Sequence, residues 1–185
     1  MTVINGATSA TTSVPVGASP SAIAVNPVTN QVYVAGSNTV TVINGATNSV
    51  AATVSTGTSP YAIAVNPVTN LIYVANYSSS NVTVIDGATN ATTTVNAGTN
   101  PDAVAVNPVT NQIYVTNEAS NTVTVINGAT NSTTTVTVGS EPCAVAVNPV
   151  TNQIYVANSN STSVTVINGP PTRSRLCLWG AIPRR

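Results

Sequence analysis

Apolar and β-branched residues alternate with Thr, Ser and Asn in short runs, each closed by turn chemistry. In one stretch the runs fall at 62–65, 71–74, 82–85 and 91–95. The two-residue alternation is that of strands with one face buried. The link between the first and second runs reads Asn-Pro-Val-Thr-Asn. Pro fixes φ there, and Asn accepts a left-handed backbone. The third and fourth runs are joined by Asn-Gly or Asp-Gly, a strong hairpin signal. The β-branched load and a Pro about every 20 residues exclude helices.

The pattern repeats. Asn-Pro-Val-Thr-Asn starts at Asn26, Asn66, Asn107 and Asn148, and Thr-Val-Ile followed by Asn-Gly or Asp-Gly starts at Thr2, Thr41, Thr83, Thr124 and Thr165. The period is about 41 residues, the length of a four-stranded propeller blade. A four-stranded meander cannot bury both faces alone, and fanning copies about an axis buries each against its neighbour. The first run of each unit is rich in Ala (Ala22, Ala24, Ala62, Ala64, Ala103, Ala105, Ala144, Ala146), which suits the slim strand nearest the axis. The expected fold is an all-β propeller arc of about four antiparallel blades over residues 1–169, part of a larger ring.

Composition removes several function classes. Charged residues are 4% of the 185-residue chain, against roughly 25% in an ordinary soluble domain. No apolar run approaches the ~18 residues of a spanning helix. Hydrophobic residues at 42% argue against disorder. All four Arg lie in the last 13 positions and all four acids (Asp86, Asp102, Glu118, Glu141) in the repeats, so the body offers no basic face to nucleic acid. There is no His, and the two Cys form no metal-ligand spacing; no cofactor or metal is expected.

Tyr114-Val-Thr-Asn117 within Gln-Ile-Tyr-Val-Thr-Asn, with Tyr73-Val-Ala-Asn76 and Tyr155-Val-Ala-Asn158 as variants, resembles the signature of the YVTN-type β-propeller repeat family. Ala-Val-Asn-Pro-Val-Thr-Asn and Val-Ile-Asn-Gly-Ala-Thr-Asn match that family's repeats as well, and the resemblance covers residues 1 to about 169. It implies seven-bladed rings, occurrence in archaeal surface-layer and bacterial secreted or envelope proteins, and mostly no assigned catalysis. The first unit departs slightly, with Tyr33-Val-Ala-Gly36.

The pattern is broken at both ends. Met1 stands where the other units have Val40, Val82, Val123 or Val164, and residues 170–185 leave the repeat altogether. With the codons GCC ACC AAC and GTG CCT GTG GG-, loss of one base after the Gly169 codon turns Ala-Thr-Asn into Pro-Pro-Thr, and Val-Pro-Val-Gly into Cys177-Leu178-Trp179. Residues 170–185 are therefore expected to be an out-of-frame, disordered tail, and the chain a fragment whose exposed blade edges favour self-association.

In a blade meander the first–second and third–fourth turns lie on one side of the ring, and the remaining loops on the other. The first set barely varies between units. The second set (35–38, 75–81, 116–121 and 157–162, with the segments leading to each new unit) varies in length and residue, so that face is the one free for binding. The residue after each unit's opening Pro is Ser21, Tyr61, Asp102 or Cys143, and these four are expected around one channel mouth. Glu118 and Glu141 are expected on the same side. Together the six form the candidate ligand site, a small polar or cation site, although carboxylates on separate loops lack the compact spacing of a calcium loop. Catalysis is not expected: Asp102 and Glu141 sit one blade apart without a His or Lys partner, and Cys143 has no neighbouring base. Tyr33, Tyr73, Tyr114 and Tyr155 read as packing between blades.

Asn-X-Ser/Thr acceptors at Asn76, Asn81, Asn90, Asn131 and Asn160 agree with an extracellular or envelope location. The function read from the sequence is a non-catalytic surface or secreted propeller module. Its expected partners are other surface proteins or glycans. The alternatives are the remnant of a lactonase-like or lyase-like envelope enzyme, and a non-functional gene fragment.

Overall fold

The computed structural model describes residues 1–169 and 174–178. A short hairpin, β1 (Thr2–Ile4) and β2 (Thr11–Ser13), precedes four antiparallel sheets of four strands each. The first is β3 (Pro20–Asn26), β4 (Gln31–Gly36), β5 (Thr39–Asn44) and β6 (Ser49–Ser55); the second is β7 (Pro60–Asn66), β8 (Leu71–Asn76), β9 (Asn81–Asp86) and β10 (Thr92–Asn96). The third is β11 (Pro101–Asn107), β12 (Gln112–Asn117), β13 (Thr122–Asn127) and β14 (Thr133–Thr137); the fourth is β15 (Pro142–Asn148), β16 (Gln153–Asn158), β17 (Ser163–Asn168) and β18 (Ser174–Leu178). Strand order within each sheet follows the chain, and the innermost strands β3, β7, β11 and β15 lie side by side. This is a propeller arc of four blades, as the repeat implied.

The core is a series of seams between blades, because no single meander can bury both of its faces. Tyr33, Val40 and Val42 of the first blade pack on Ile72, Val74 and Ile85 of the second. Tyr73, Val82 and Val84 pack on Ile113, Val115 and Ile126, and Tyr114, Val123 and Val125 on Ile154, Val156 and Ile167. Val14 of the segment after β2 covers Val34 and Ile43. Tyr33, Tyr73 and Tyr114 are wholly buried, whereas Tyr155 is 39% exposed, with no described sheet on its outer side. Full burial of an aromatic of this size contributes about 2–3 kcal/mol.

Two turn types fix each blade. Asn30, Asn70, Asn111 and Asn152 close the first–second turn with φ of 51–56°, the left-handed region that Asn tolerates. In the first three blades the third–fourth link is a hairpin without a left-handed glycine, whereas Gly169 of the fourth has φ 63°. Oδ1 of Asn44 accepts from the amides of Ala46 and Thr47, and the left-handed residue is Asn48. Gly45 is required for closeness instead: a Cβ there would lie 2.7 Å from the carbonyl oxygen of Asn30, to which the Gly45 amide donates.

The expected tail differs in one part. Ser174–Leu178 pairs antiparallel with β17, Ser163 opposite Leu178 and Ile167 opposite Ser174, in the outer-strand position of the other blades. The ladder is made by backbone groups, so it tolerates a sequence that has left the repeat. Residues 170–173 and 179–185, the rest of the segment expected to be out of frame and disordered, lie outside the described residues.

Candidate functional site

Each innermost strand begins with a β-bulge, between Pro20 and Ala22, Pro60 and Ala62, Pro101 and Ala103, and Pro142 and Ala144. The residue left without a partner in the register is Ser21, Tyr61, Asp102 or Cys143 in turn. A bulge frees one side chain from the alternation of its strand and re-aims it. The four positions singled out from the sequence are therefore equivalent for a reason the sequence did not reveal.

A second position varies with them. The first residue after the second strand of each blade is Ser37, Tyr77, Glu118 or Ser159. Its amide donates to the preceding loop at three blades: Tyr77 to Ser59, Glu118 to Asn100 and Ser159 to Glu141. Bulge residue and loop residue thus lie on one face of the arc. The second blade places two aromatics there (Tyr61, Tyr77), the third two acids (Asp102, Glu118), and the first and fourth small residues.

The aromatic and acidic pairs meet across the seam between the second and third blades. The Tyr61 and Tyr77 rings are tilted at 44° with centroids 5.6 Å apart. The Tyr77 hydroxyl donates to Oε2 of Glu118 at 2.7 Å. That bond, with the Glu118 charge behind it, holds the Tyr77 phenol above its ordinary pKa. Asp102 is half-buried, and burial together with the Glu118 charge pushes its carboxyl above the usual range. Tyr61 is 54% exposed.

The other candidates do not join this cluster. The Ser21 hydroxyl donates to the carbonyls of Pro60 and Ala35, tying two inner strands together. It borders a groove of about 500 Å³ that runs from Ser19 and Asn38 to Tyr61. Cys143 is exposed, its thiol directed at the Ala157 carbonyl at 3.8 Å. Glu141 is exposed and accepts from Nδ2 of Asn160 at 3.2 Å. Among the described residues no three His, Cys, Asp or Glu side chains converge as metal ligands. Tyr77 was not singled out from the sequence. The signal was its alignment with Glu118, one repeat earlier.

The opposite face is uniform. Val28, Val68, Val109 and Val150 recur at one turn position and are 74–92% exposed. Asp86, the remaining acid, stands there with Oδ1 accepting from Ala88 and Thr89, bonds that hold its carboxyl below the ordinary range.

Four sheets in sequential order, joined by seams and carrying their variation on one face, define a β-propeller repeat protein. Residues 2–93 match the family model described as lactonase, 7-bladed β-propeller. No curated protein matches the chain. Among solved structures it is similar to Kuenenia stuttgartiensis hydrazine synthase, at 21% identity and TM-score 0.75, covering 86% of this chain and 49% of that one. It is similar to dihydro-heme d1 dehydrogenase NirN at 20% and 0.70, covering 82% and 35%. A functionally unknown protein from Desulfotomaculum acetoxidans DSM 771 matches at 16% and 0.70, covering 86% and 54%. At these identities the likeness is one of fold, and the chain spans about a third to a half of each structure's length.

Proposed function

We propose that this chain is a YVTN-type propeller module, displayed at the cell surface or secreted, that binds a partner non-catalytically through its loop face. One observation carries the reading: the bulge and loop positions differ from blade to blade while the turn face repeats. Repetition serves the seams, which need the same residues in every blade. Departures from it at two aligned positions are not required by the apolar seams, and they place the exposed Tyr61 and the half-buried Tyr77 beside carboxylates. Aromatics at the centre of a surface are the usual anchors of recognition. Display is tested by treating intact producing cells with a membrane-impermeant maleimide, which should label the exposed Cys143; labelling only after lysis argues against it. Binding is tested by substitution of Tyr61, as set out below.

A second reading, a lactonase-like propeller enzyme, is favoured by the family match over 2–93. Under that reading Asp102, whose proton affinity is raised by burial and by the Glu118 charge, and the adjacent Glu118 are the carboxyl groups available for acid–base work. Release of acid from sugar δ-lactones, abolished by Glu118→Gln, would support it over the binding module.

A further inference from the structure

We infer that the loop-face site between the second and third blades takes a cationic side chain, the guanidinium or ammonium of a basic segment in a partner protein. This rests on the loop-face reading above and names its ligand. The aromatic half of the site argues first. Tyr61 is more than half exposed with a second ring 5.6 Å away, and exposed aromatic rings attract a cation while gaining little from water. Burying the pair against each other alone would leave no reason for Tyr61 to stay more than half exposed.

The acidic half is independent of it. Glu118 stands one hydrogen bond from Tyr77, and Asp102 is close enough for its proton affinity to rise in the Glu118 field. Two carboxylates held together oppose ionisation unless a positive charge joins them. Residues 1–169 contain no Lys, Arg or His, so the folded repeats cannot supply that charge themselves. Both halves occur once. At the equivalent places the first blade has Ser21 and Ser37, and the fourth Cys143 and Ser159. Glu141, one blade further along, adds a third negative charge to the same face and would steer a basic segment toward it.

The alternative of a neutral saccharide draws on the hydroxyl-bearing groove beside Tyr61. Two of that groove's serines are already engaged, Ser21 with Pro60 and Ser37 with the Ala18 carbonyl, and the groove does not use the two acids.

The test uses the full chain and three capped pentapeptides, Gly-Arg-Gly-Arg-Gly and its Gln and Glu counterparts, with cellotriose as the neutral sugar. The Arg peptide should shift the Tyr61 and Tyr77 ring resonances, bind more tightly than the Gln peptide, and weaken several-fold between 50 and 500 mM salt. Tyr61→Ala and Glu118→Gln should each weaken it about tenfold, and Asp86→Asn on the other face should leave it unchanged. Equal binding of Arg and Gln peptides, or equal weakening by Asp86→Asn, overturns the cationic ligand. If cellotriose or the Gln peptide shifts Tyr61 instead, the loop face still binds but the ligand class is wrong. Shifts confined to Val68 and Val109 overturn the loop-face reading itself.

Discussion

The Asn66 side chain, wholly buried, donates from Nδ2 to Oδ1 of Asn111 at 2.9 Å, joining the end of one blade's inner strand to the first turn of the next. The same bond recurs from Asn26 to Asn70 and from Asn107 to Asn152. Oδ1 of Asn66 accepts in turn from the Val68 amide, so one carboxamide serves a turn and a seam. Removing it takes the partner from a partly buried oxygen on Asn111 and from a turn amide, and leaves a cavity at a wholly buried position. Asn66→Ala should cost about 2–4 kcal/mol, read as a lower urea midpoint at unchanged slope.

Gly87 closes the same arrangement from the other side. Its amide donates to the Asn70 carbonyl, and a Cβ there would approach Cγ of Asn70 to 2.8 Å while Asn26 holds that side chain in place. Gly87→Ala should therefore destabilise by about 1–3 kcal/mol. Combined with Asn70→Ala, the loss should be less than the sum of the single effects, since the obstructing amide is gone. A double-mutant cycle measures that coupling.

Tyr33 and Tyr73 occupy equivalent positions with unequal partners. The Tyr33 hydroxyl donates to Oε1 of Gln31 at 2.6 Å, but the corresponding residue beside Tyr73 is Leu71, and its buried hydroxyl has no partner. Tyr114 is also unpartnered, yet Gln112 stands two residues away and can turn toward it. Tyr33→Phe should cost about 1 kcal/mol, and Tyr73→Phe should be neutral or stabilising.

Burial pushes the Tyr73 phenol up to about 12 from 10.0. A raised native pKa means that the unfolded chain ionises first. The stability held below pH 10 should therefore fall as pH rises from about 10 to about 12, by roughly 2–3 kcal/mol. Tyr73→Phe should remove that contribution in urea melts across the interval, leaving the slope from Tyr33 and Tyr114, whose phenols burial also raises.

Asp102 follows the same sign at the acid end. Its native pKa lies above 3.8, so stability should rise as the pH falls through the window just above that value, where the folded chain takes up the proton first. Glu118→Gln removes one of the two causes and should lower the Asp102 titration midpoint, followed by carboxyl NMR. It should also bring the Tyr77 phenol down, because both its bond and the adjacent charge change.

Most of the architecture was legible because repetition multiplied weak signals. One Asn-Pro-Val-Thr-Asn is a turn; four at a constant spacing are blades, and the Ala-rich runs identified the inner strands. The bulges were not legible. Pro-Ser-Ala and Pro-Asp-Ala carry no mark of an extra residue, which exists only relative to the register of the neighbouring strand. The Asn66–Asn111 bond was hidden likewise, since a left-handed turn already accounted for Asn at 111. In the site, Asp102, Glu118 and Tyr61 were found as departures from repetition. Tyr77 was missed because an aromatic in a polar loop reads as incidental until the next blade brings Glu118 against it. Ser21 also departs from repetition, and that its hydroxyl fastens two inner strands is visible only once Pro60 is placed beside it.

The bulge residue belongs to no ladder, so its identity is released from the demands of pairing. Ser21 of the first blade also fastens its neighbour, but a mutation of Tyr61, Asp102 or Cys143 changes the chemistry offered near the arc's centre without altering a ladder. Each of these blades thereby holds one letter that can be rewritten alone, and a scaffold of near-identical units becomes able to acquire new ligands by single substitutions.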